Sequence, residues 1–130
     1  MVYAVDITET GLGMIKEEAK IRSLTNMKPV LATPINPNLP EPVGLAFKCD
    51  TYHLKSDRVA YFRSLAGHLH ENGRVATLDD HKTGLFSGFL GHEAPKELVR
   101  YEMKQVGYRL VEEHSLLQNQ PFQICAVNPP

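Results

Sequence analysis

Short apolar runs alternate with amphipathic helical patterns along this chain, and that alternation limits the possible folds more than any other feature. The apolar runs fall at 2–5, 28–32, 43–49 and 74–78, and the first of them is rich in residues that favour strands. Strands that alternate with helices are typical of a parallel α/β sheet with crossover helices. The sequence therefore predicts such a sheet.

Helical patterns separate these runs. The first covers residues 8–24, with its apolar residues at helical spacing. The second is expected to begin at Ser56 as N-cap and to end at Asn72-Gly73, a typical left-handed stop signal. The third is expected over 95–105, followed by Gly107 as the residue just after the helix.

The end of the chain predicts two more strands, at 108–113 and 121–127, joined by residues 115–120. We expect them to form an antiparallel hairpin at the edge of the sheet, since mixed sheets often carry one. Residues 33–42 hold four prolines and predict a loop, and the glycine-rich residues 81–92 predict a mobile loop or a lid. One domain over 1–130 suits this length.

The bulk composition narrows the class of protein. Fourteen basic and 15 acidic side chains leave a net charge of -1, which argues against a nucleic-acid partner but does not exclude a nucleic-acid substrate. No stretch approaches the roughly 20 apolar residues that span a bilayer, and no signal peptide is visible. We expect a cytoplasmic protein without a membrane partner, in which Cys49 and Cys125 are buried structural thiols.

Polar residues follow the predicted strands at four places. In open α/β sheets, ligands bind outside the carboxyl ends of the strands. That rule selects Asp6, residues 33–36, residues 50–53 and residues 79–81. We expect all four segments to lie along one rim of the sheet.

Two features near the first strand leave alternatives open. Asp6 could accept hydrogen bonds from ribose hydroxyls, or it could cap the next helix. Gly11-Leu12-Gly13 follows a strand and opens a helix, like the start of a dinucleotide-binding fingerprint, but Lys16 stands where its third glycine belongs. Ordinary glycines at a helix start explain the same pattern. Asp6 would also fit a nicotinamide-dependent oxidoreductase, but this sequence lacks the complete Gly-rich turn that such an enzyme needs.

Two histidines lie beside carboxylates. His53 follows Asp50 and Tyr52, and His81 follows Asp79 and Asp80. Such pairs could act as general bases or bind a metal, but the spacing matches no metal-binding motif, so we predict no metal site. The histidines could equally serve packing alone.

Several collinear segments resemble motifs of class I S-adenosylmethionine-dependent methyltransferases. The chain reads VYAVD at 2–6, DTYH at 50–53, LHENGRVA at 69–76 and EMKQVGYRL at 102–110. Each segment alone is a weak match, but their order and spacing extend over nearly the whole chain. The resemblance implies a Rossmann-like, mostly parallel sheet, S-adenosyl-L-methionine as cofactor and methyl transfer to a small molecule by direct displacement.

The resemblance also implies roles for individual residues. The residues matched to cofactor-binding positions are Asp6, Ile7, Thr33, Pro34, Ile35, Cys49 and Asp50. The residues matched to substrate-facing positions are Tyr52, His53, Asp80 and His81. Among them, His53 is the candidate general base.

The chain departs from the family at its start. The first strand of the family fold, its Gly-rich turn and the following helix have no counterpart before Val2. A missing central strand would expose strand edges that can pair with another chain. The chain could therefore be a fragment, a subunit completed by a homodimer or another partner chain, or a non-catalytic methyltransferase-like binding protein.

Overall fold

The computed structural model describes residues 1–49, 57–78, 96–117 and 120–128. Helices and strands alternate through most of these residues, as the sequence predicts. Their bounds are β1 Val2–Asp6, α1 Glu9–Ile21, β2 Met27–Leu31, β3 Val43–Cys49, α2 Arg58–Ala66, β4 Leu69–Leu78, α3 Lys96–Gln105, β5 Tyr108–Leu117 and β6 Gln120–Val127.

The described strands form two sheets. Strands β1 and β2 pair in parallel as one sheet, and the other has the order β3-β4-β6-β5. Strands β3 and β4 are parallel, whereas β6 is antiparallel to both β4 and β5. The predicted α/β fold, with parallel pairs and an antiparallel closing hairpin, is confirmed. Strands β1 and β3 each have only one strand neighbour in this part of the chain.

Helix α1 is shorter than predicted. Thr8 is its N-cap and accepts a hydrogen bond from the Gly11 amide at 3.0 Å. The helix ends at Ile21 because Ser23 takes a left-handed backbone conformation with φ 55°. The Leu24 amide then bonds back to the Ala19 carbonyl at 2.8 Å, which closes the helix end.

Helix α2 corrects two predictions. Its N-cap is Asp57 and not Ser56, since the Asp57 carboxylate accepts a hydrogen bond from the Ala60 amide at 2.9 Å. The helix ends at Ala66, so Asn72-Gly73 does not stop it. That dipeptide lies inside β4 instead.

The Asn72-Gly73 dipeptide belongs to an irregular segment of β4, where the register with β3 shifts. Val43 pairs with Leu69 but Leu45 pairs with Arg74, so four residues of β4 face one residue of β3. A Cβ atom at Gly73 would lie 2.8 Å from the Leu69 Cβ and 2.9 Å from the His70 carbonyl oxygen. Glycine is therefore required for a tight backbone approach, and this explains why the local signal was misread.

The core lies between the larger sheet and helices α2 and α3. Its buried residues are Tyr61, Phe62, Leu65, Val75, Met103, Tyr108 and Cys125. Arg58 of α2 and Glu102 of α3 form a two-point ion pair, with N–O distances of 2.7 and 2.8 Å.

Gly107 follows α3 with φ +85°, as predicted, and turns the chain into β5. Strand β5 continues to Leu117, beyond its predicted end.

Candidate functional site

A groove of about 860 Å³ lies between β1 and β3. Val2 and Val5 of β1 line one side, and Leu45 and Phe47 of β3 line the other. All four side chains are exposed although they are apolar. Tyr61 of α2 also lines the groove. The groove therefore separates the two sheets and has largely apolar walls.

One end of the groove is defined by Tyr3 and Glu41. The Tyr3 hydroxyl donates a hydrogen bond to the Glu41 carboxylate. This bond, with a smaller effect of burial, raises the pKa of Tyr3 above its ordinary value. Glu41 comes just before β3, so the first half of β1 lies beside the start of β3.

The other end of the groove contains Asp6. The Asp6 Oδ1 accepts hydrogen bonds from the amide and the hydroxyl of Thr8, both at 2.8 Å. These bonds secure the turn before α1, but the N-cap of the helix is Thr8, so Asp6 does not cap the helix itself. Asp6 also lines the groove, together with Ile7. The ribose-binding role stays a prediction.

Gly11 makes room for the Asp6 carboxylate. A Cβ atom at residue 11 would lie 2.5 Å from the carboxyl carbon, whereas nothing lies within 4 Å of one at Gly13. The structure therefore requires glycine at residue 11 but not at residue 13, although both fit the same sequence pattern. Gly11 has a packing requirement that the weak fingerprint match alone did not establish.

The predicted cofactor-binding residues Thr33, Pro34 and Ile35 lie on a tight turn. Thr33 and Asn36 bond each other through their backbones, with N–O distances of 2.9 and 3.4 Å. Pro34 and Ile35 are exposed at the tip of this turn. Ala32 and Pro37 line the groove, but Thr33, Pro34 and Ile35 are not among its lining residues. Asp6, Ile7 and Cys49 thus line one groove, and this turn does not line it.

Lys48 is a groove residue that the sequence analysis missed. Its side chain is buried, and its Nζ lies 5.5 Å from the centre of the Tyr61 ring and 5.1 Å from that of Phe62. Cation–π attraction offsets part of the cost of burying this charge. A single lysine within an otherwise apolar strand was the available signal.

Its neighbour Cys49 is exposed, so the prediction of a buried thiol there is wrong, whereas Cys125 is buried as predicted.

Several predicted site residues lie outside the described part of the chain. They are Asp50, Tyr52, His53, Asp80 and His81, together with Ser56, the proposed lid at 81–92 and Pro95. Within the residues that the structure does describe, no group of three or more His, Cys, Asp or Glu side chains could hold a metal ion. No helix in the same ranges is long and apolar enough to cross a membrane.

The arrangement of strands and helices is similar to that of solved methyltransferases. A SAM-dependent methyltransferase from Aquifex aeolicus superposes with a TM-score of 0.86 at 18% sequence identity, over 98% of this chain and 69% of that one. The chain has the class I S-adenosylmethionine-dependent methyltransferase fold. The fold predicted from the collinear motifs is therefore confirmed.

Two further solved structures with different activities also match the fold of this chain. The O-methyltransferase NcsB1 from neocarzinostatin biosynthesis, solved with S-adenosylmethionine and a naphthoic acid, matches with a TM-score of 0.79 at 16% identity, over 97% of this chain and 41% of that one. The cyclase SpnF matches with a TM-score of 0.74 at 12% identity, over 88% and 45%. No protein-family model and no curated protein matches the sequence.

Proposed function

We propose that this chain binds S-adenosyl-L-methionine at the carboxyl ends of β1 and β3 and serves methyl transfer to a small molecule. One observation carries the proposal: Asp6, Ile7 and Cys49 lie at the ends of these strands and line a single groove. Ligands of open α/β sheets bind at such strand ends. The fold is that of methyltransferases, one of which was solved with this cofactor.

The residues at this end of the groove fit the cofactor. A carboxylate is the acceptor that ribose hydroxyls require, and the two hydrogen bonds from Thr8 hold the Asp6 carboxylate in place. Gly11 leaves the space that this carboxylate occupies. When bound, S-adenosylmethionine supplies an activated methyl group, so the chain mainly has to orient cofactor and acceptor.

The remaining assignments follow the resemblance. The turn formed by Thr33, Pro34 and Ile35 would flank the adenine, and Cys49 and Asp50 would lie near the methionine part. Ile7 would also contact the cofactor. The acceptor would face Tyr52, His53, Asp80 and His81. His53 would remove the proton of the acceptor if that group needs a general base. We propose a single domain over 1–130 and a cytoplasmic location as part of the same function.

Calorimetry with S-adenosylmethionine and S-adenosylhomocysteine tests this proposal. We expect the Asp6→Asn variant to bind at least about tenfold more weakly, because hydrogen bonds to a charged acceptor contribute about 1.5–3 kcal/mol. Asp57→Asn is the matched control, since Asp57 also accepts a hydrogen bond at a helix start but does not line the groove. Absence of binding by the unaltered chain at millimolar cofactor would contradict the proposal.

A second candidate is a non-catalytic binding protein or subunit of the same fold. The division of the described strands into two sheets favours it. A homodimer or a partner chain would then complete the sheet. Single-turnover assays separate the candidates: cofactor binding without methyl transfer, with and without added partner, supports the second.

A further inference from the structure

A histidine and a glutamate of β5 form a polar pair at the edge of the larger sheet that is farthest from the groove. The His114 Nε2 lies 3.0 Å from the Glu112 Oε2, and the two side chains are 42% and 54% exposed. The His114 ring also packs against the ring of Phe122 on β6, with the ring centroids 6.1 Å apart. The histidine is therefore held from two sides while the pair stays open to solvent.

Two irregularities of β5 flank this pair. The register with β6 shifts between Leu110 and Glu112 and again between His114 and Leu117. Such shifts re-aim side chains and are over-represented next to active sites. Without the first shift, Glu112 would lie on the same face as Leu110, two residues before it. The first irregularity therefore directs Glu112 to the face that carries His114.

This face of the sheet is the one that points away from helix α3. Glu113 comes between the two residues in the chain, and its Oε2 accepts hydrogen bonds from Arg100 of α3 and from Gln123 of β6. Successive side chains of a strand point to opposite faces, so Glu112 and His114 lie on the other face. The hydrogen bond between them agrees with this placement.

A row of paired residues connects His114 to the end of β3. His114 pairs with Phe122 of β6, and Phe122 pairs in turn with Leu78 of β4. Leu78 pairs with Cys49 of β3. Directly paired residues lie on the same face of a sheet, and Cys49 and Leu78 are the last residues of their strands. The row therefore follows the rim at the carboxyl ends of β3 and β4, and three strand spacings of about 4.8 Å make it about 14 Å long.

We propose that this row binds the methyl acceptor, and that His114 and Glu112 bind a primary amine at the far end of an elongated, largely apolar molecule. The inference rests on the proposed function, in which Cys49 lies near the methionine part of the cofactor. A reacting atom beside Cys49 and an amine beside Glu112 are then roughly 10–14 Å apart. Leu78 and Phe122, which are both half-buried, supply the apolar surface between them.

The polar pair is suited to a positively charged donor. When the His114 Nε2–H donates to the Glu112 carboxylate, the ring is neutral and its Nδ1 carries a lone pair that accepts a hydrogen bond. The carboxylate adds a negative charge and further lone pairs. A protonated amine matches both groups, whereas Glu112 repels a carboxylate. A hydroxyl group has one hydrogen to donate and no charge, so it matches the pair less well.

Three probes of similar length test this selectivity: octylamine, octanol and octanoate. Each is titrated into the full chain with and without S-adenosylhomocysteine, and the imidazole signals of His114 are followed by NMR. We expect octylamine to bind at least about fivefold more tightly than the other two, because a hydrogen bond to a charged group changes affinity by about tenfold or more and exposure reduces this gain. Equal binding of the three probes, tighter binding of octanol or octanoate, or no shift of the His114 signals with millimolar octylamine overturns the proposal.

Two exposed glutamates of the same sheet give matched variants. Glu112→Gln removes the charge of the pair, whereas Glu71→Gln removes a charge near the start of β4, at the opposite end of the strands. We expect E112Q to lose the fivefold preference for octylamine and E71Q to keep it. Loss of the preference in both variants, or its retention in both, overturns the proposal.

Calorimetry with S-adenosylhomocysteine on the unaltered chain separates this inference from the function on which it rests. Cofactor binding without a preference for octylamine overturns the acceptor site alone. Absence of cofactor binding contradicts the proposed function, and the acceptor role of the row with it.

Discussion

Gly11 lies so close to Asp6 that an added Cβ atom would stand 2.5 Å from the carboxyl carbon and 2.5 Å from Oδ2. Real Cβ atoms do not approach other heavy atoms this closely. The first turn of α1 and the end of β1 can therefore adopt their positions only with glycine at residue 11. This relationship connects the stability of α1 to the geometry of the candidate site.

Gly11→Ala should destabilise the protein by about 1–3 kcal/mol, as overpacking does, and should weaken cofactor binding by displacing the Asp6 carboxylate. Gly13→Ala is the control, because nothing lies within 4 Å of its Cβ position and alanine should stabilise the helix by about 0.5–1 kcal/mol. Urea denaturation measures both free energies of unfolding. Equal stabilisation by the two substitutions would contradict the predicted clash.

Tyr108→Phe should lower the free energy of unfolding by about 1–3 kcal/mol. The buried Tyr108 hydroxyl donates a hydrogen bond to the Phe62 carbonyl oxygen at 2.9 Å, and its loss leaves a buried acceptor without that donor. Tyr101→Phe, at an exposed tyrosine of α3, should change stability by less than about 0.5 kcal/mol. Thermal and urea unfolding compare the variants, and similar losses in both would refute the role of the bond.

Stability should fall as the pH rises from about 9 to about 11. Burial raises the pKa of the Cys125 thiol to about 11 from its ordinary 9.0, an effect that Arg100 partly opposes. The unfolded chain therefore ionises this thiol first, so its contribution is complete below pH 9 and is lost as the pH rises through the folded-state pKa. Burial raises the pKa of Tyr108 as well, which acts in the same direction at higher pH.

Unfolding measured across this pH range in two cysteine variants tests the assignment. Cys125→Ala should reduce the slope of stability against pH, whereas Cys49→Ala, at the exposed cysteine, should leave it unchanged. An unchanged slope in the Cys125 variant would show that other groups cause the effect.

Glu102→Ala should cost about 3–5 kcal/mol, because it leaves the guanidinium of Arg58 largely buried without its two-point partner. The side chains of this pair are 23% and 12% exposed. Glu18→Ala, which removes an exposed partner of Arg22 on α1, should cost less than about 1 kcal/mol. Urea denaturation at two salt concentrations measures the difference. Comparable costs would mean that the Arg58–Glu102 pair contributes no more than a surface ion pair.

Local patterns predicted much of the secondary structure correctly. The bounds of β3 agree with the apolar run at 43–49, and Gly107 takes the left-handed conformation expected after α3. Asn72-Gly73 was misinterpreted because the same dipeptide suits a helix stop and a strand bulge. The choice between them depends on the pairing of β4 with β3, which the local sequence does not contain.

The sequence by itself determined the α/β fold class, because hydrophobic periodicity and turn residues act over a few positions and need no distant partner. It also determined which residues follow the strands. Only the tertiary structure decided which strand ends meet: Asp6, Ile7 and Cys49 share one groove, whereas the turn from Thr33 to Ile35 does not line it. Only the tertiary structure, too, showed β1 and β3 lining the same groove. The physical reason is that strand pairing and burial join residues far apart in the chain, so the outcome depends on how whole elements pack.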